Sequence, residues 1–454
     1  MNDLGELSLW IALLMSAWGA ALSLTGAATD RPVFVTSGRR GVCAAAAFTA
    51  LSAAALLWAL WSNDFSLRYV ASFTASNLPD PWRLSALWAG RAGSMLCWML
   101  ALSACATVLV STDHRYRRDL APWVTAATSG VLALFIAAAL QFDPFARLAV
   151  PSPDGRGLDP TLQAWAAVLT PPLLYAGYMV TLVGILFAGV AVARRRLDRD
   201  TVASVRAWLA VAWCFMLGGA LVGLRRQYLE SGLLGGLDWT PSALAGAGSR
   251  FSVPGAIIVA CATLVIGVLL DAVRVRMSGA EPGRGERGLR WRIGRATLAV
   301  GLALCLAGVS GAAFTRTITT AVRDGESFTA GDPFGRQWTF TSQGASRIQR
   351  ENHFAAAVAL IPARGGVRQP FVTSERRQYV DADERDQFPL MTTTGVLGAA
   401  AEDVAVVLTG VSAGRSEWRV AFIPLAAWIW IGGAAVLVGG ACVLWPTLPP
   451  GEGV

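Results

Sequence analysis

Nine mostly apolar runs, each long enough to cross a bilayer, follow one another along this chain, separated by segments rich in Arg or in aromatic residues. At 1.5 Å per residue, a run of about 20 residues spans the ~30 Å hydrocarbon layer as a helix. The runs fall near 7–28, 41–61, 92–111, 121–141, 166–193, 207–224, 254–273, 296–314 and 421–445. With 54% hydrophobic and only 15% charged residues, a 454-residue chain is too apolar to cover a water-facing surface of its own size. The 18 Trp against 6 Tyr, many at the ends of runs, suit rings that sit at headgroup level.

The charges set an orientation. Arg31, Arg39 and Arg40 follow the first run, Arg115, Arg117 and Arg118 the third, and Arg194 to Arg196 with Arg199 the fifth. Seven Arg from Arg274 to Arg295 follow the seventh. Every second loop is therefore basic, and the positive-inside rule places those loops in the cytoplasm. The amino terminus and the segments 62–91, 142–165, 225–253 and 315–420 are then expected on the outer side, with the carboxyl terminus cytoplasmic. Asp3 and Glu6 stand where a signal peptide carries positive charge, so the first run is expected to be a retained helix.

Several chemistries are excluded. All 38 basic residues are Arg, which removes Lys general-base and Schiff-base roles. Because the excess Arg lies between membrane runs, nucleic acid is not an expected partner. The seven Cys sit in apolar runs with no CxxC and read as small core residues. There is no clear inverted repeat, and Asp271 near a run end is the one charge approaching mid-membrane, so a transporter has little support.

The fold expected is an α-helical polytopic membrane protein of about nine transmembrane helices, with a small extracytoplasmic β domain inserted before the last helix. Residues 1–273 form the helical bundle, 274–295 a cytoplasmic Arg-rich linker, 296–314 a helix, 315–420 the β domain, and 421–454 the last helix with a short tail. The β assignment rests on alternating stretches such as Gln337 to Ser342 and His353 to Ile361, broken by Gly and Pro. The outer loops stay apolar at helical spacing. In 63–88, Phe65, Tyr69, Val70, Phe73, Leu78, Trp82, Leu84 and Trp88 make a face that lies along a membrane surface. Such loops roof a cavity that suits a flat apolar molecule.

Asp64 to Pro79 (DFSLRYVASFTASNLP) followed by Leu84 to Trp98 (LSALWAGRAGSMLCW) resembles the pattern of the CcmF-type cytochrome c maturation proteins, where DFS-x-x-YVA leads into W-G-G-H-E-G-S-L-L-L-W. In the same order, DPFARL (Asp143 to Leu148), DGRGLDPTLQ (Asp154 to Gln163) and TPPLLYAGY (Thr170 to Tyr178) are similar to the family's NPF-x-RL, DG-x-GLNPLLQ and HPP-x-LY-x-GY. ERRQY (Glu375 to Tyr379) and VAFIPLAAWIWIGG (Val420 to Gly433) resemble its last motifs.

The resemblance implies a subunit of a membrane heme lyase of the bacterial inner membrane, which binds or presents heme on the outer face for thioether attachment to apocytochrome c. It implies a transient or shared b-type heme. The partners implied are apocytochrome c, heme-chaperone and thiol-reductase-type maturation subunits, membrane lipids and a second CcmF-like chain. The alternative is a non-catalytic scaffold of the same assembly that binds no heme.

The departures lie in the ligands. Thr170 stands where the family has a heme-ligating His, and a hydroxyl is a poor axial ligand beside imidazole. Of the tryptophan-rich platform, Gly235, Gly236, Asp238, Trp239 and Pro241 are the remnants. The two His of the chain are His114, in a basic cluster, and His353, at a strand start and the one outward candidate ligand. Trp82, Trp88, Tyr175 and Trp239 are the candidate heme-contacting rings. Arg91, in place of another family His, and Arg225 and Arg226 are the candidate propionate partners.

Overall fold

The computed structural model describes all residues except 1, 113–118, 232–252, 279–288, 381–387, 413 and 447–454. Its helices are α1 (Asn2–Thr29), α2 (Pro32–Trp61), the short α3 (Arg68–Phe73) and α4 (Asp80–Ala86), α5 (Arg91–Thr112), α6 (Ala121–Phe142), α7 (Trp165–Ala193), α8 (Arg199–Ser231), α9 (Val253–Ser278), α10 (Leu289–Ala312) and α11 (Ala426–Leu444). Eight of them are long and apolar enough to cross a membrane among the described residues. The predicted run 254–273 falls on α9, whose described apolar part, Gly255–Leu270, is shorter. The molecule is a polytopic helical membrane protein with a sheet domain before its last helix.

Hydropathy located the spans but not the helix ends. The helix α9 continues to Ser278 and α10 begins at Leu289, so of the predicted linker 274–295 only 279–288 lies outside the described residues. Arg is a good helix former, and a helix needs no apolar side chains once it has left the bilayer. His114 and Trp239 lie outside the described residues.

In the bundle α1 packs on α2 and α6, α2 on α5, α5 on α6 and α7, and α8 on α7, α9 and α11. Leu56, Leu60, Leu96, Met99, Leu132 and Ile136 form its buried centre. The pair α10 and α11 meets differently, through a glycine seam with a seven-residue repeat. A methyl carbon on Gly301 would lie 2.7 Å from the Val436 nitrogen and 2.8 Å from the Gly432 carbonyl oxygen, and one on Gly439 would lie 2.8 Å from the Gly294 carbonyl oxygen. Lipid tails are as apolar as Leu, so close backbone approach, rather than hydrophobic exclusion, holds such a pair.

Between α10 and α11 the chain forms β1 (Arg316–Arg323), β2 (Ser327–Gly331), β3 (Gln337–Ser342), β4 (Ser346–Gln349), β5 (His353–Arg364), β6 (Val367–Arg368), β7 (Val372–Tyr379), β8 (Met391–Thr392), β9 (Thr394–Leu397), β10 (Glu402–Ser412) and β11 (Arg415–Pro424). One sheet has the order β1-β11-β10-β9 and the other β2-β3-β5-β7-β8, with β4 and β6 on β5, all in antiparallel register. Alternate residues fill the space between them, including Trp338, Phe340, Val358, Val406, Trp418 and Phe422. Because β1 and β11 are neighbours, the domain leaves and rejoins the bundle at one edge.

At that edge lies a buried carboxyl pair. Arg336 binds Asp332 at 2.6 Å and also contacts Glu402, while both carboxylates are buried. Burial and then the neighbouring Asp332 push the Glu402 carboxyl up to about 7, against the pull of Arg336. For Asp332 burial acts upward too, but hydrogen bonds from the Arg336 backbone and guanidinium hold it below the ordinary range.

Two predictions follow from packing and charge. Gly301→Leu forces the α10–α11 seam apart, with an expected loss of about 3 kcal/mol, read as a lower unfolding temperature of the detergent-solubilised chain. In the folded state Glu402 keeps a proton that the unfolded chain releases near its ordinary value, so its contribution to stability falls as pH rises from that value to about 7. Between roughly pH 5 and pH 8 the unsubstituted chain should lose on the order of 1–3 kcal/mol more than Glu402→Gln, which has no charge to acquire. Unfolding at the two pH values checks this.

Candidate outer-face site

The two interhelical segments that carry the family-like motifs, 62–90 and 143–164, are hydrogen-bonded to each other. Ser66 and Arg68 exchange backbone bonds with Leu148 (2.8 Å) and Ala146 (2.9 Å), pairing Leu67 with Arg147 as a short bridge. Arg156 N donates to Ala71 O at 2.8 Å and Gly157 N to Thr74 O at 3.1 Å. The Asp154 carboxylate accepts from Ser76 N at 2.8 Å and from its hydroxyl at 2.7 Å. Aspartate can satisfy two donors of a turn at once, which suits this position.

Tyr69 fastens this layer to α5. Its hydroxyl donates toward the carbonyls of Ala86 (3.0 Å) and Leu87 (2.9 Å) and accepts from Gly90 N at 3.1 Å. Burial lifts the phenol far above its ordinary range, so it stays a neutral donor. Glycine is required opposite it: a methyl carbon on Gly93 would lie 1.9 Å from the Leu87 oxygen and 2.3 Å from the Tyr69 hydroxyl.

Trp88 fastens α5 to α7. Inside α7 stand Pro171 and Pro172, and Pro171 has no N–H to give to the carbonyl four residues earlier, that of Ala167. The Trp88 indole N–H donates to that oxygen at 3.2 Å. Nearby, the Tyr175 hydroxyl donates to Ser94 Oγ at 3.2 Å and its ring lies 5.6 Å from Trp98. Trp88 and Tyr175 are thus buried framework beneath the loops rather than exposed rings.

What the layer presents outward is a different set. Trp82 on α4 leans on Trp165 at 5.4 Å, and Trp165 and Leu169 are 65% and 54% exposed, one turn apart at the start of α7. Behind Leu169, and not on this surface, is Thr170, whose Oγ1 is buried with no hydrogen-bond partner among the described residues. Arg91, the first residue of α5, is exposed. Sequence reasoning passed over Trp165, although an aromatic ring at the end of an apolar run is the usual interfacial signal.

The other candidates lie along the seam with the β domain. Arg226 donates to the Thr161 carbonyl, in the segment just before α7. Arg225 lies over the rings of Tyr228 and Trp430, at 5.3 and 5.1 Å, and its Nη1 and the Trp430 indole nitrogen are both buried without a hydrogen-bond partner among the described residues. Tyr228 donates to Asp403 of the sandwich at 2.7 Å.

His353 is half-buried at the domain seam, not an open strand position. Its Nδ1 lies 3.0 Å from Asn352 Oδ1, and the Asn352 amide donates to Gln163 of the outer layer at 2.7 Å. Burial, then Arg377 and Arg350 against Glu375, bring the imidazole down to about 4, so it is neutral at ordinary pH.

Among the described residues the segment offers flat rings on α4 and α7 and guanidinium groups on α5 and α8, groups whose chemistry suits a planar apolar molecule with acidic edges. Among the described residues, no cluster of three His, Cys, Asp or Glu forms a metal site. A small cleft lined by Leu109, Leu120, Val124, Phe187 and Trp208 lies at the opposite ends of the helices.

No family model matches the chain. The cytochrome c-type biogenesis protein CcmF of Pseudomonas aeruginosa is 34% identical over 245 residues, 53% of this chain and 37% of the relative. CcmF of Escherichia coli K12 is 33% identical over 244 residues, with the same shares, and NrfE of Haemophilus influenzae 31% identical over 195 residues, 42% of this chain and 31% of the relative. The matched region spans 31–37% of these relatives' own length. A solved chain titled cytochrome c heme lyase CcmF superposes with a TM-score of 0.71 over 98% of each chain at 18% identity. This chain is similar in sequence to the CcmF cytochrome c-type biogenesis proteins over 53% of its length and to NrfE over 42%, and in fold to the solved CcmF chain over 98% of it.

Proposed function

We propose that this chain is a subunit of a membrane heme lyase in cytochrome c maturation, placed in the bacterial inner membrane with its amino terminus and β domain outside. The observation that carries the proposal is the outer layer. Two family-like loops interlock above α5 and α7 and present the Trp82–Trp165 pair. In this reading heme is cargo: a porphyrin lies on the paired rings, and guanidinium groups such as Arg91 and Arg225 meet its propionates. The reaction adds two cysteine thiols of apocytochrome c across the heme vinyl groups, so fixing the porphyrin plane and edge is the main service a protein can offer.

Axial ligation does not fit the residues present. Thr170 replaces an imidazole, and with His114 and His353 as its two His the chain alone cannot supply a bis-imidazole site. The iron ligands are therefore assigned to a second chain, a further CcmF-like subunit, within a complex that also holds a heme chaperone and thiol reductase. The same deficit is what a heme-free scaffold would show, so the test must separate the two.

The complex, purified with its partners, is expected to show a Soret band that the isolated chain lacks. Deleting the gene should abolish c-type cytochromes. Trp165→Ala combined with Arg91→Ala should lower heme recovered in the complex roughly tenfold, equivalent to about 1.4 kcal/mol. Normal cytochromes after deletion would sink the proposal. Lost cytochromes with a heme-free complex would select the scaffold.

A further inference from the structure

The edge of the β domain nearest the helices differs chemically from its other end. Only residues 313–315 separate α10 from β1, and Leu425 alone separates β11 from α11, so Arg316, Glu402 and Pro424 lie within a few residues of membrane helices. Two hairpin tips of the other sheet reach this same edge. The β2–β3 tip is drawn there by Arg336, which binds Asp332 and contacts Glu402, and Gly331 lies against the Arg316 guanidinium. The β5–β6 tip follows through Arg364, 4.0 Å from Glu402.

Both tips carry large apolar side chains in the open. Phe334 is 55% exposed and Val367 64%, while Phe314, just past α10, is 71% exposed. They continue an apolar band on the outward face of α10, where Leu306 and Val309 are 68% and 57% exposed. Phe334 is held out by a preformed turn: Asp332 Oδ1 accepts from Phe334 N at 2.9 Å and from Arg336 N at 2.8 Å. The acids of this edge, Asp332 and Glu402, are buried, whereas Arg316, Arg364 and Arg368 are exposed. At the other end of the sandwich the β1–β2 turn is Asp324, Gly325 and Glu326, with no apolar side chain to bury.

Exposed apolar tips among arginines, continuous with a lipid-facing helix, match a membrane surface. We infer that this edge of the β domain rests in the outer leaflet, with Phe314, Phe334 and Val367 below the headgroups and Arg316, Arg364 and Arg368 against lipid phosphates. Arginine side chains beside such a surface gain from anionic lipid.

The test uses the full chain alone in phospholipid vesicles, so that no partner can cover the edge. In a background with all seven Cys replaced by Ala, a nitroxide is attached at Phe334→Cys, Val367→Cys or Glu326→Cys. Accessibility to oxygen and to a water-soluble nickel complex then reports depth. The labels at 334 and 367 are expected about 5–10 Å below the phosphates, deeper when phosphatidylglycerol is added to phosphatidylcholine, with 326 open to nickel. Nickel accessibility at 334 and 367 equal to that at 326 overturns the proposal, leaving a protein partner as the cover for this edge. Equal depth in both lipid mixtures overturns the arginine part. If the cysteine-free chain does not fold, hydroxyl-radical footprinting of the native sequence in vesicles asks the same question. Phe334 should then be protected relative to the exposed Leu390, and equal labelling overturns the inference.

Discussion

The carbonyl oxygen of Ala167 ties the segment before α5 to the start of α7. Inside a membrane helix every backbone acceptor needs a donor, and Pro171 withdraws the one that Ala167 would have had. The Trp88 indole supplies it from another helix, which fixes the start of α5 against the start of α7. That bond ties the end of the segment that precedes α5 to the first turn of α7. Tyr69 then locks the first loop under α5, and the backbone exchange between Ser66, Arg68, Ala146 and Leu148 lays the second loop on the first.

It also explains a division of labour among the aromatic residues. Trp88, Tyr69 and Tyr175 are consumed in building the layer, each with its polar atom engaged. Trp82 and Trp165 are held at its surface. A ring whose N–H or O–H is hydrogen-bonded is positioned by that bond, whereas Trp165 meets Trp82 in a tilted contact that leaves most of its own surface open.

Much of the architecture was legible from residues. Nine apolar runs became helices because the bilayer leaves the backbone no other solution, and the alternating stretches between 315 and 420 became a sandwich because period-two patterning buries one face. What could not be read is equally physical. The tie between the outer loops runs through backbone groups, which every residue possesses, so no pattern announces it. His353 looked like an ordinary surface strand residue, and only the docking of Asn352 on Gln163 places it at an internal seam. Arg225 was noticed as a charge at a helix end. Its company is Tyr228, about one turn further along α8, and Trp430 of α11, which comes beside it only once the two helices are packed together.

The strands β1 and β11 are neighbours in one sheet and run directly into α10 and α11, which are neighbours along the glycine seam. Sheet and helix pair are therefore one continuous stiff body with no slack joint at the water–lipid boundary. A load on the sandwich, such as a protein docking on it from outside, is delivered to the two helices as torque. The domain works on the membrane half of the molecule as a handle works on a shaft.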